Sequence, residues 1–296
     1  MSHRNKMSLI GQVEAALKEC ALRGIGTSKH DDKKAQRAAG NKDITSKKIY
    51  SWETYRSYLK QACYFVRYCK EQHRCKTIAD CRQYVNEWLQ KAIDDRKSAH
   101  TIKLYASSLA KLYGCSTNDF IKTPARQRAN ITRSRGDKVR DHHFSQKNNS
   151  NLIRFCKSTG LRRRELTALT GNKLVFRAGR PFIHVTNGKG GRERFAPIIG
   201  DIDFVIGVME AAGDGKVFEH VPTAADIHGY RGEYATAMYK LYARPLDTLT
   251  KEQKYYFRGD LKGVVADRKA MMIVSEALGH NRINIIAGHY IRVETL

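Results

Sequence analysis

Six residues of this chain have the types and the order needed to break and rejoin a phosphodiester through a tyrosine. Arg162 lies in Thr159-Gly160-Leu161-Arg162-Arg163-Arg164-Glu165-Leu166, Lys189 in Gly188-Lys189-Gly190, and His228 and Arg231 in His228-Gly229-Tyr230-Arg231. His280 closes Leu278-Gly279-His280, and Tyr290 follows ten residues after it. Negative charge grows on the phosphate oxygens as a fifth ligand approaches phosphorus. The chemistry therefore needs cations aimed at those oxygens, a nucleophile in line and a proton for the leaving alkoxide. Arginine suits the first task because its planar fork grips two oxygens and keeps its charge.

Arg162 follows a glycine at a helix start, where backbone N–H groups also face outward. His228 and Arg231 are three residues apart, so one helix presents both on one face. Lys189, at a hairpin tip, can act as general acid to a leaving oxygen. A phenol at Tyr290 can hold the phosphoryl group as an ester, conserving the bond energy for religation. Each residue also has a plainer reading. Arg162 is one of three adjacent arginines, His228 can cap or pack, and glycine and lysine are ordinary in turns. Tyr290 shares a helical face with Ile283 and Ile286, as a core tyrosine would. A nucleotide-binding P-loop is not supported, because Gly190 follows Lys189 where Ser or Thr is required.

The elements that must position these groups are legible in outline. Residues 8–22 read as a short amphipathic helix within a basic N-terminal segment, 1–44. Ile49, Trp52, Tyr55, Leu59, Cys63 and Val66 recur at helical spacing, as do Ile78, Cys81, Val85, Trp88 or Leu89, and Ile93, and then Ile102, Tyr105, Leu109 and Leu112. Helix after helix with short joints predicts an all-α bundle over 45–120. Lys47, Lys48, Arg56, Lys60, Lys103 and Lys111, interleaved with Tyr50, Tyr55 and Tyr58, suit a DNA backbone on its surface. A basic linker, 121–145, holds Arg133 and Arg135 among other cations and too few apolar residues for a core.

From 146 to 296 the pattern is mixed. Helices are expected over 151–158 and around 164–169, then β-type runs at 173–176, 181–186 and 192–198. The last two flank Asn187-Gly188-Lys189-Gly190-Gly191 as a hairpin. Helices resume near Asp201, Ala224 and Asp267. The predicted fold class is therefore mostly α with a small antiparallel sheet, preceded by an all-α bundle.

Lys and Arg outnumber Asp and Glu by 54 to 29 in 296 residues, a formal charge of +25. Such an excess repels itself unless an anion neutralises it, and nucleic acid is the expected partner. The seven cysteines include no C-x-x-C pair, and Cys63, Cys69, Cys75 and Cys81 recur at a spacing unlike that of a zinc site. Reduced cysteines are expected, with no metal and no other cofactor. The N-terminus lacks an apolar signal core and no stretch is long enough to span a bilayer, which suggests a cytoplasmic protein without a membrane partner.

The ordered set resembles the tyrosine recombinase, or phage-type integrase, family. The motifs cover 150–296, and a helical DNA-binding domain matches 45–120 more loosely. The resemblance implies a 3′-phosphotyrosyl intermediate with a free 5′-hydroxyl. Arg162, Arg231 and His280 would hold the phosphate, Lys189 would protonate the leaving oxygen, and His228 would assist proton transfer. Tyr290 would be the nucleophile and Glu165 a support for the arginine. It further implies double-stranded DNA as the partner, bound by a homotetramer on two DNA sites, an accessory DNA-bending or directionality factor, and a mobile genetic element as the setting. A type IB topoisomerase-like relaxing enzyme and a catalytically inactive DNA-binding protein are the alternatives.

Two spacings depart from the family's pattern. The interval from His280 to Tyr290 is one residue longer than usual, and His289 occupies the usual position. The interval from Arg231 to His280 is also long, and it holds Tyr242, Tyr255 and Tyr256 as alternative nucleophiles.

Overall fold

Side-chain oxygens start most helices of the first half. Ser8, Ser51 and Ser98 accept from the backbone N–H groups of Gly11, Thr54 and Thr101. They open α1 (Leu9–Gly24), α3 (Trp52–His73) and α6 (Ala99–Leu112). Ser28 likewise caps α2 (Lys29–Ala38). Thr77 and Asp80 form a reciprocal capping box on α4 (Ile78–Cys81), which leads into α5 (Val85–Asp94). The computed structural model describes residues 7–41, 47–127, 144–188 and 193–291. The chain divides into two units, Met1–Arg126 and Gln127–Leu296.

In the first unit Leu9, Val13, Leu17 and Ala21 of α1 pack with Phe65 and Val66 of α3, Leu89 of α5, and Ile102 and Leu109 of α6. Their four-residue spacing puts one apolar stripe against the other helices. The bundle's core thus begins at Leu9 rather than at residue 45. Tyr55 is part of that core, and the Tyr50 hydroxyl donates to Asp32 at 2.5 Å. Of the expected DNA-binding cations, Lys47 and Lys60 are exposed. Lys48 pairs with Asp32 at 3.0 Å and Arg56 with Glu53 at 3.1 Å, while Lys103 donates to Thr117 at 3.4 Å. Arg133 and Arg135, with most of the expected linker, lie outside the described residues. All seven cysteines are free thiols.

The second unit opens with α7 (Ser150–Thr159) and the short α8 (Arg163–Thr167). An antiparallel sheet follows in the order β1 (Leu174–Arg177), β2 (Arg180–Val185), β3 (Arg194–Pro197). Ile183 pairs with Leu174 on one side and Ala196 on the other. Its buried face meets Leu161, Leu166 and Val205 in one core. Next come α9 (Ile202–Ala212) and α10 (Ile227–Tyr242). A two-stranded sheet, β4 (Lys254–Tyr256) with β5 (Val265–Asp267), fills the long interval before α11 (Arg268–Ala277) and α12 (Ile283–His289). Arg244 closes its base with a two-pronged grip on buried Asp267, at 2.8 Å from each oxygen. That grip holds the Asp267 carboxyl well below the usual carboxylate range. Tyr234, Met238, Met271, Val274 and Ile286 pack α10, α11 and α12 around a second core. No helix among the described residues is long and apolar enough to cross a membrane.

Candidate active site

The site is assembled from the ends of helices. Helix α7 stops at Gly160, whose φ of +59° is open chiefly to glycine. A β-carbon there would lie 2.3 Å from a ring carbon of Tyr234. Leu161 is then buried, which turns Arg162 to the first position before α8. Glu165 accepts from the Arg162 backbone N–H at 2.7 Å and from its guanidinium at 2.9 Å, locking the cap and the side chain together. The three consecutive arginines have separate fates. Arg162 faces the site, Arg164 is exposed, and Arg163 donates to the carbonyls of Pro222 and Ala225 at 2.6 Å each. Arg163 thereby ties down the loop that leads into α10.

Helix α10 carries His228 and Arg231 one turn apart, as their spacing predicts. Arg231 is only 1% exposed. It donates to the carbonyls of Gly160 and Leu278, joining the end of α7 to the end of α11. Burial first, then the neighbouring charges of Arg162 and Arg194, pull its pKa down to about 10 against the opposing influence of Tyr290. It is still a cation at neutral pH. Its Nε has no partner among the described residues. A buried cation held this way is costly until an anion meets it.

Helix α11 supplies the acceptors. The Leu278 carbonyl also receives Arg162 at 2.9 Å, and the Ala277 carbonyl receives Arg194 Nε at 3.1 Å. Three guanidiniums therefore gather at the negative end of one helix. Gly279, at φ +67°, reverses the chain, and the Ser275 hydroxyl donates to the His280 carbonyl at 2.7 Å. His280 is thus set with Nε2 at 3.3 Å from Arg162.

Tyr290 comes directly after α12 and is 7% exposed. Its ring centre lies 5.1 Å from that of His228, 5.5 Å from that of His280 and 5.2 Å from the Arg231 guanidinium carbon. After α12 the buried position falls on residue 290, whereas His289 is exposed. Tyr242 lies eleven residues beyond Arg231 on α10, about 16 Å along the axis at 1.5 Å per residue. Tyr255 and Tyr256 belong to β4.

Arg162, Arg231, His228, His280 and Tyr290 are thus brought together, with Glu165 beside Arg162. Lys189, the expected general acid, lies outside the described residues. Arg194, at the start of β3, was not singled out from the sequence. Its two NH groups grip Glu165 at 2.8 and 2.7 Å. Burial would raise the Glu165 pKa, but the fork of Arg194 and the donors of Arg162 outweigh it and bring it down to about 2. The only sequence signal was a charged residue on the buried phase of a strand.

No protein-family model and no curated protein sequence matches this one. Among solved structures, the chain is similar to the XerH site-specific recombinase bound to its difH substrate. The likeness has 15% identity and a TM-score of 0.50 over 99% of this chain and 96% of that one. It is also similar to the Tn1549 transposon integrase in complex with circular intermediate DNA, at 14% identity and a TM-score of 0.44 over 89% and 94% of the two chains. The likeness is one of fold: the chain has the mostly α tyrosine-recombinase fold with small antiparallel sheets.

Proposed function

We propose that this protein is a site-specific DNA recombinase that cuts and rejoins strands through a phosphotyrosine at Tyr290. One observation carries the reading. A buried tyrosine ring shares a pocket with two histidines and a buried arginine, and a second arginine stands beside one of those histidines. A structural tyrosine needs no such surroundings, whereas a nucleophile aimed at a phosphodiester needs all of them. The XerH and Tn1549 proteins of similar fold are a recombinase and an integrase bound to DNA.

In this reading Arg162 and Arg231 neutralise the non-bridging oxygens, and His280 adds a hydrogen bond. The Tyr290 oxygen attacks phosphorus and loses its proton toward His228. The bond to the 5′ oxygen breaks, and that oxygen takes a proton from Lys189, leaving a 3′-phosphotyrosyl ester and a free 5′-hydroxyl. A 5′-hydroxyl from a partner strand then reverses the steps and releases Tyr290. Arg133, Arg135 and the basic face of the first unit would hold the duplex, and four protomers on two sites would complete exchange, with an accessory factor setting direction. The reaction needs neither metal nor nucleotide.

A nicked suicide duplex tests this. The parent should trap a covalent adduct, with the peptide containing Tyr290 joined to the 3′ phosphate. Tyr290→Phe should bind the duplex equally and trap none. Supercoil relaxation without joints between two duplexes would favour a topoisomerase instead. Absence of any adduct from the parent would leave only a DNA-binding protein.

A further inference from the structure

Arg194 is built into the cluster through its bonds to Glu165 and to the Ala277 carbonyl. Its side chain is 7% exposed and that of Glu165 is 5% exposed, against 20% for Arg162. We infer that Arg194 is a positioning residue: by gripping Glu165 it sets the orientation and the unspent charge with which Arg162 meets an anion. The identity of the reaction rests on the recombinase reading above; the grip on an anion does not.

The hydrogen-bond count supports the inference. An ionised carboxylate has about four acceptor sites. At Glu165, Oε1 takes Arg162 and Arg194 side-chain donors, and Oε2 takes the Arg162 backbone N–H and the second prong of Arg194. Glu165 is saturated, so it cannot rotate toward Arg162 and take both prongs of its fork. The other Arg162 prong is left for the Leu278 carbonyl and the His280 imidazole.

The charge balance points the same way. Two guanidiniums share one carboxylate, so the trio keeps a net positive charge that Arg162, the more exposed of the two, can offer to an anion. Without Arg194, Arg162 and Glu165 would close as a two-pronged pair, the geometry such pairs favour. That would neutralise Arg162 and draw it from His280. Arg194 also fixes the end of α11 through its Nε bond to the Ala277 carbonyl. A β-carbon at Gly279 would sit 2.9 Å from Arg194 Cδ, so the glycine before His280 also leaves room for this side chain.

The test uses the full-length protein and four variants: Arg194→Gln, Arg194→Lys, Glu165→Gln and the Glu165→Gln/Arg194→Gln double. Circular dichroism and Tm establish folding. Orthovanadate, a tetrahedral phosphate analogue, then probes the anion grip by titration, with Arg162→Gln as the blank. Adduct formation on a nicked duplex probes the chemistry. Folded Arg194→Gln should bind vanadate about tenfold more weakly and form adduct about a hundredfold more slowly, as misplaced groups do. Duplex affinity, spread over many phosphates, should barely move. Arg194→Lys keeps the charge without the fork and should rescue neither property. It carries the same comparison should Arg194→Gln fail to fold.

The double variant should be no worse than Arg194→Gln alone, because Arg194 acts through Glu165. Additive losses, a lower Tm with unchanged vanadate affinity, or a parent that does not bind vanadate would each overturn the inference. A parent that binds vanadate through Arg162 but never forms adduct would instead overturn the recombinase reading, leaving Arg194 judged by the vanadate titrations.

Discussion

The guanidinium carbon of Arg231 lies 5.2 Å from the centre of the Tyr290 ring. The same ring is buried at 7% exposure and flanked by two imidazoles, so it is fixed by packing as much as by its hydroxyl. Tyr290→Ala should therefore destabilise the second unit by roughly 3–5 kcal/mol, as large-to-small aromatic changes do. Tyr290→Phe should cost about 1 kcal/mol, the net worth of one hydrogen bond. Urea unfolding of both variants checks this, and equal midpoints would mean the ring contributes no packing.

Arg231 spans two elements with one fork, donating to the carbonyls of Gly160 and Leu278. A lysine carries the same charge on a single nitrogen and cannot reproduce the planar bridge. Arg231→Lys should slow adduct formation about a hundredfold or more, the scale seen when one aimed donor is lost from such a site. Duplex affinity, measured by gel shift, should change little.

The convergence of Arg162, His228, Arg231, His280 and Tyr290 was legible because the segments that carry them are local motifs with local causes. The glycine of Leu278-Gly279-His280 marks a helix end, and H-x-x-R spacing marks one helical face. The part that could not be read joins residues distant in sequence. Arg194 meets Glu165 across 29 positions and Ala277 across 83, and no periodicity reports such a pairing. The second sheet, β4 with β5, was hidden for a similar reason. Its strands are three residues each, too short for an alternation to register, and the pair is closed at its base by Arg244 gripping Asp267 across 23 positions. In the first unit, the polar stretch after Arg23 suggested a separate segment, whereas the apolar stripe of α1 decided its place in the bundle.

The Glu165 carboxyl predicts an acid limit. Its pKa falls from an ordinary 4.5 to about 2 on folding. A depressed carboxylate adds stability above its unfolded value and loses it as pH falls through the folded one. The window is therefore about pH 4.5 down to about 2, and the contribution is on the order of 3 kcal/mol at 1.36 kcal/mol per tenfold. Acid titration of unfolding free energy should show this loss in the parent. Glu165→Gln should flatten that part of the curve while being less stable at neutral pH.

Gly160 offers the sharpest test of how the fold positions the arginines. Its φ is +59°, and a β-carbon would meet the Tyr234 ring at 2.3 Å, inside any permitted contact. Tyr234 cannot retreat easily, being fully buried with its hydroxyl donating to the Pro197 carbonyl of β3 at 2.7 Å. Gly160→Ala combines left-handed strain of about 1–2 kcal/mol with overpacking of about 1–3 kcal/mol. Because the Gly160 carbonyl accepts from Arg231, the shift that relieves the clash also moves the arginine. The expected variant unfolds at lower urea and, at a temperature where it is still folded, forms adduct more slowly than its residual stability explains. A variant with lowered stability but the parental adduct rate would show that Arg231 does not depend on the turn after α7 for its aim.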